Sequence, residues 1–382
     1  MGSNLFRFFI SGAKKEVLPG SDLWKLPLSG KETRHPSDLV FTTGDYYLTA
    51  CKFLSKDHFF ILQKGLNSFF NRPVQMDQII SINVFLEKHG AFYHPLKIQV
   101  VLNNNETCSF VMNGAVSSRG LLLIKNEYDL LFKINQMYSQ CYLPQIYGFD
   151  FVEIDKGRVG FFLGQWFEDY KEFHVTDDKG KRQIAIWESN GSCQHIELNH
   201  GFKIYQEISR ILTYYYNLET FEQISSWHHA AGDFIVNMED DKLDVRMITV
   251  REYSSLTQFA AGKDDKNINI LPSLLLFFLN LTIHIRLDRL NGTGKTIMVD
   301  KAVINSTIKG FLSALDEKSK DYDYGDLREH FIEFFLQFDF EQIFGIVENG
   351  VESSSTNPIE IKLIKENLNA HCRQLYLIFK NI

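Results

Sequence analysis

The sequence predicts an α+β protein of two lobes, an antiparallel sheet with a helix on it followed by a mainly helical half. Three observations carry that reading. The β-rich runs "KIQVVL" and "CSFVMN" close on "NNNET", and "LPQIYGFDFVEI" and "RVGFFLGQWF" close on "DKGR", so each pair reads as a hairpin. Between them, residues 121–137 repeat apolar residues at helical spacing. From residue 268 onward the pattern is mostly helical, and no internal repeat is visible.

Taken in order, residues 1–75 mix Gly, Pro and short aromatic runs and read as an N-terminal extension. "MDQIISINVFLEKHG" places apolar residues at helical spacing before Gly90, which predicts a helix over 76–89. The Asn cluster of "NNNET" tolerates the positive φ of a tight turn. In the 121–137 helix, Glu127 lies four residues from both Leu123 and Leu131, at the edge of the apolar stripe. These elements make a first lobe over 76–170. The second, over 171–382, contains an inserted hairpin near 182–198, "RQIAIWE" with "QHIEL", and then the apolar helix "FKIYQEISRILTYYY". "ILPSLLLFFLNLTIHI" is too short and too polar for a bilayer span and reads as a buried helix.

Composition narrows the function classes. With 45% hydrophobic residues, including 33 Phe and 16 Tyr, the chain has the means for large aromatic cores. A net charge of −7 with dispersed Lys and Arg excludes a chain-wide footprint for nucleic acid or anionic membrane, so neither is an expected partner. The five scattered cysteines have no C-x-x-C spacing, which argues against a disulfide framework or zinc knuckle and points to a cytoplasmic location. "LFRFFI" is too short for a signal peptide, and "MGSNLF" has Phe6 where myristoylation requires Ser or Thr.

The order hairpin, helix with an inward Glu, hairpin, then a helical half opening on a loop and hairpin resembles the protein-kinase-like superfamily. Its aminoglycoside phosphotransferase and choline kinase branch is the most similar, over roughly residues 96–300. The resemblance implies a strand Lys and a helix Glu for nucleotide phosphates, a catalytic Asp, and two metal-holding residues. Here the Lys position falls on Asn113 in "CSFVMNG", and Glu127 in "IKNEYDLL" matches the helix Glu. "SWHHAAGDFIV" resembles the catalytic loop with Gly232 in register, which places His228 on the catalytic Asp and Asp233 on the metal-binding Asn. The second metal-binding Asp falls on Thr249 of "MITVRE". A rival register makes Asp233 catalytic and Asn237 the metal ligand, but its spacing is one residue short. A glycine-rich phosphate cover is missing.

The candidate catalytic residues are therefore His228 and Asp233, with Asn113, Glu127 and Trp166 as cofactor-binding positions and Asp233, His228 and Thr249 as metal positions. Trp166 reads more as core than as a base-stacking platform. The "EFH" run at 172–174 lies where such a fold contacts the base, and a charged surface strand explains it equally well. His228, His229 and Asp233 could hold a transition metal, but adjacent histidines usually point apart. "NGTGKT" at 291–296 lacks the first Gly of a P-loop and follows a helix, so it reads as a helix stop and a basic loop.

The resemblance with these substitutions implies a pseudokinase, a scaffold or small-molecule sensor whose ligand or protein partner occupies the interlobe cleft. Mg-ATP is disfavoured as its cofactor, and another divalent metal stays open. The alternative is a divergent phosphotransferase or other nucleotide-dependent transferase, with Asp233 on the metal and Glu252 or His228 as base.

Overall fold

A computed structural model describes residues 5–11, 15–28, 40–87, 93–178, 180–187, 192–228, 232–239, 242–255, 270–354 and 357–382. The chain divides into two compact units, Met1–Glu168 and Asp169–Ile382. It is α+β, with a seven-stranded sheet in the first unit and a mainly helical second unit.

The first unit runs β1 (Phe6–Ile10), β2 (Lys15–Glu16), α1 (Asp22–Lys25), α2 (Thr43–Phe70), β3 (Ile79–Leu86), β4 (Leu96–Leu102) and β5 (Thr107–Ala115). It continues with α3 (Ser118–Met137), β6 (Ile146–Ile154) and β7 (Gly157–Gln165). The sheet order is β2-β1-β3-β4-β5-β7-β6, with β1 and β3 parallel and the other neighbours antiparallel. Both predicted hairpins therefore join one sheet with α3 against it, and Asn105 takes the positive φ of 66° in the first turn.

Two expectations change. Residues 79–86 form a strand rather than part of a helix, because Ile82, Val84 and Leu86 alternate into the core and β-branched side chains suit the pleat. The described part of residues 1–75 belongs to the first unit itself: β1 and β2 extend its sheet, and α2 covers one face. A capping box at Thr42 and Asp45 starts α2, and a left-handed turn at Asp57, His58 and Phe59 interrupts it. Its Tyr46 and Phe53 rings pack on Phe161 of β7 at 5.3 and 5.5 Å. A Cβ on neighbouring Gly160 would instead meet Leu121 and Ile124 of α3. Successive strand residues face opposite ways, so α2 and α3 cover opposite faces.

The second unit opens with β8 (Lys171–Asp178), β9 (Lys181–Trp187), β10 (Cys193–Glu197) and α4 (Leu198–Tyr214). Then come β11 (Glu222–Ser225), β12 (Phe234–Glu239), β13 (Lys242–Met247) and β14 (Glu252–Ser255). The predicted hairpin β9–β10 is joined through β8 to β12 and β13 in a five-stranded sheet. After it follow α5 (Ile270–His284), β15 (Leu287–Arg289), β16 (Thr296–Met298), α6 (Val303–Asp321), α7 (Leu327–Phe335), α8 (Phe340–Ser354) and α9 (Pro358–Phe379). "NGTGKT" thus lies in a β15–β16 hairpin, because the helix stops at His284, earlier than expected.

Helix α5 is apolar on nearly every side and is buried as expected, with Phe278 against Phe311, Phe331 and Phe379 at 4.5, 5.3 and 5.6 Å. No helix among the described residues is long and apolar enough to cross a membrane. Helix α6 crosses α4 at Gly310, where an added Cβ would lie 2.0 Å from the Gln206 carbonyl oxygen. Gly310→Ala must force these backbones apart, and it is expected to cost about 3 kcal/mol, read as a lower urea midpoint.

Candidate functional site

In the first unit, strand pairing decides which candidates share a face. Asn113 pairs with Phe162, and Phe162 lies on the face of Gly160, which carries α3. Helix α3 begins at Ser117, whose hydroxyl accepts the Gly120 N–H. Its buried stripe is Gly120, Ile124, Glu127, Leu131 and Ile134. Glu127 is thus inside the stripe at 2% exposure rather than at its edge.

The same face carries a cation that sequence reasoning passed over. Lys97 of β4 pairs with Val111, two residues before Asn113 and on the same face. Its ammonium stands 4.7 Å over the Trp166 ring and 3.1 Å from Glu168 Oε2. Trp166 is half-buried and is a platform for that ammonium. The signal for Lys97 was its place in "KIQVVL", but a strand Lys is ordinarily a solvent-facing residue.

In the second unit, two ladders bring the opening loop and Thr249 to one end. Strand β11 pairs with β14 up to Ser225 and Glu252, and β12 pairs with β13 from Phe234 and Met247. Residues 226–228 with 232–233 and residues 248–251 are thereby held side by side, with the Ile248 N–H on the Asp233 carbonyl at 2.9 Å. Thr249 is half-buried on the second segment.

Asp233 is 1% exposed, and three donors meet its carboxylate. Arg251 clamps it from both terminal nitrogens, Nη1 to Oδ2 and Nη2 to Oδ1, each at 2.5 Å. The His228 backbone N–H donates to Oδ2 at 2.7 Å. Arg251 also donates to the Ser226 carbonyl at 3.0 Å, and the Ser226 hydroxyl donates to Glu252 at 3.1 Å. Gly232 holds a φ of +74°, and Glu172 of β8 lies where its side chain would project, 3.1 Å from an added Cβ. A charge-assisted, two-pronged pair of this kind closes the loop on the following strand. Arg251 stands within "MITVRE", but its partner could not be named from chain order.

The His228 imidazole is mostly buried, which pushes its pKa down to about 4, and the positive charges of Arg289 and Arg251 add to the effect. It is neutral at pH 7 and a weak proton acceptor. His174 is buried rather than on a charged surface strand, 3.8 Å from Glu172 Oε2, and the turn at Gly292 lies against its ring. His229 lies outside the described residues. Among the described residues no three His, Cys, Asp or Glu side chains are grouped to hold a metal ion.

No family model matches the chain, and no curated protein does. Among solved structures it is similar to the PAN3 pseudokinase of Drosophila melanogaster at 10% identity. The match covers 81% of this chain and 73% of that one with a TM-score of 0.28, a likeness too loose to carry any residue or property across.

Proposed function

We propose that this chain is a kinase-like protein that does not perform ordinary ATP-dependent phosphotransfer and acts as a binding module, a scaffold or small-molecule sensor. The observation that carries the reading is the Asp233–Arg251 pair. Asp233 is the one carboxylate that the catalytic-loop register leaves in place for a metal, and a guanidinium already neutralises it. A divalent cation there would have to displace a bidentate guanidinium from a nearly buried carboxylate and would face Arg251 directly. The donor set therefore does not suit Mg²⁺. Asn113 and Thr249 supply no charge at the other two positions, and a His228 with its pKa near 4 is a poor base for a hydroxyl.

Incubation of the purified chain with Mg-ATP and hydroxyl acceptors is expected to give no transfer above background. Turnover that disappears on Asp233→Ala would overturn the reading.

A second reading, a divergent nucleotide-dependent transferase, is favoured by Lys97, which supplies an ammonium on the face that carries Asn113. It requires nucleotide to raise the melting temperature and Lys97→Ala to remove that rise. The first reading predicts no such dependence.

A further inference from the structure

The five cysteines fall into two groups by environment. Burial pushes the thiols of Cys51, Cys108 and Cys372 up to about 12, so they stay protonated and inert at neutral pH. Of the other two, Cys141 is exposed and Cys193 is half-buried, as Cys51 also is. They differ in what stands next to sulfur. Cys141 is met by the Ser139 carbonyl at 3.8 Å and the Gln145 side-chain amide at 3.4 Å, neither of which titrates near neutral pH. Cys193 Sγ lies 3.3 Å from Nε2 of His195, a nucleophile and a base within hydrogen-bond reach.

The contact follows from strand geometry. Cys193 and His195 are two apart on β10, so both side chains leave the same face. Pairing of β10 with β9, Cys193 opposite Trp187 and His195 opposite Ala185, holds that spacing. Strand β10 is the end strand of its five-stranded sheet, and His195 is exposed, so its ring can exchange protons with water while a small reagent reaches the sulfur. Neither residue belongs to the Asp233 site.

We propose that Cys193 is a redox-modification site, a thiol deprotonated by His195 and oxidised to the sulfenic acid by hydroperoxides. His195 Nε2 takes the thiol proton. The thiolate then attacks the terminal peroxide oxygen, forming the S–O bond as the O–O bond breaks. Sulfur loses two electrons and the peroxide gains them. The departing alkoxide or hydroxide collects the proton from the imidazolium and leaves as alcohol or water. The hydroperoxide is the oxidant, and no further reductant or cofactor is needed.

The experiment treats the full chain with hydrogen peroxide in the presence of dimedone and quantifies labelling of each cysteine by peptide mass spectrometry. Cys193 is expected to label about tenfold faster than Cys141 at pH 7, because the neighbouring imidazole can take the thiol proton as sulfur attacks. His195→Ala should bring Cys193 down to the Cys141 rate and remove the histidine inflection from its pH–rate profile, while Cys141 is unchanged. Continued protection of buried Cys372, which lies in the same unit as His195, reports that the variant is folded. Equal labelling of Cys193 and Cys141 in the unmutated chain would overturn the proposal without recourse to any variant. So would a Cys193 rate that does not respond to His195→Ala.

Discussion

Arg251→Ala is expected to lower the unfolding free energy by about 2–3 kcal/mol, the cost of leaving a buried carboxylate without its cation, reduced because solvent screens the guanidinium side. The size rests on Asp233, which is 1% exposed and loses both prongs of the guanidinium, keeping only the His228 backbone N–H. Adding Asp233→Asn to Arg251→Ala should recover much of the loss, because the amide carries no charge to desolvate. Urea unfolding of the four proteins of the double-mutant cycle measures this directly. A cost near that of an exposed ion pair, under about 1 kcal/mol, would show that the loop is not held through this pair. The same variant tests the proposed function: with the guanidinium gone, Mn²⁺ should raise the melting temperature of Arg251→Ala and leave the parent chain unmoved.

The second large effect is acid lability governed by buried imidazoles in the second unit. Burial pushes His371 down to about 3 and His284 and His228 to about 4, from an ordinary 6.5, and Arg286 beside His371 adds to its shift. The cause at His371 is visible in its partners. Arg286 Nη1 donates to Nδ1 at 2.9 Å, and Thr282 Oγ1 lies 3.2 Å from Nε2, so a second ring proton would face a cation in a site with 0% exposure. These folded-state pKa values lie below the unfolded one, so the stabilisation is fully present above pH 6.5. It is lost as pH falls through about 4 and about 3, because the unfolded chain takes up protons first. For His371 alone the drop from 6.5 to about 3 corresponds to about 5 kcal/mol.

Two groups shape the rest of the profile. Burial raises Asp288 to about 6 even though it accepts the Val175 and Arg289 backbone N–H groups, and this works in the opposite sense, losing stability as pH rises from 3.8 to about 6. Lys318, which donates to the Tyr214 and Tyr216 carbonyls at 2.8 and 2.6 Å, is lowered by burial to about 7. The unfolded chain holds that proton up to 10.5, so stability climbs from pH 7 toward 10.5. The stability optimum is accordingly expected above pH 7, and His371→Gln should flatten the acid limb. Urea titrations at half-unit pH steps read both, and a profile flat from pH 7 to 4 would contradict the imidazole account.

What was legible in the sequence was local in origin. The hairpins around residues 103–107 and 155–158, the stripe of α3 and the all-round apolar α5 follow from side-chain periodicity and turn chemistry, which neighbours in sequence decide. The misreadings were also local. Residues 76–89 satisfy a helical spacing count, but Ile82, Val84 and Leu86 satisfy a strand count as well, and the choice between them is made by β1 and β4 on either side. The long α2 was missed because its apolar residues are interrupted at Lys56 to Phe59, where the backbone turns left-handed and the buried stripe changes phase.

At the candidate site the sequence by itself determined which residues stand in the loop: His228, Gly232 and Asp233 before a strand hairpin, and Thr249 and Arg251 after it. It also determined that Asn113 brings no charge to its strand. Tertiary structure alone decided that Asp233 turns inward, that Arg251, 18 residues further on, is the group that meets it, and that Lys97 of a different strand shares the face of Asn113. The physical reason is that periodicity specifies which side of an element a residue leaves. The partner of a buried charge is specified by which elements are paired, and that pairing is set by long-range ladders such as β11–β14, where Ser225 meets Glu252.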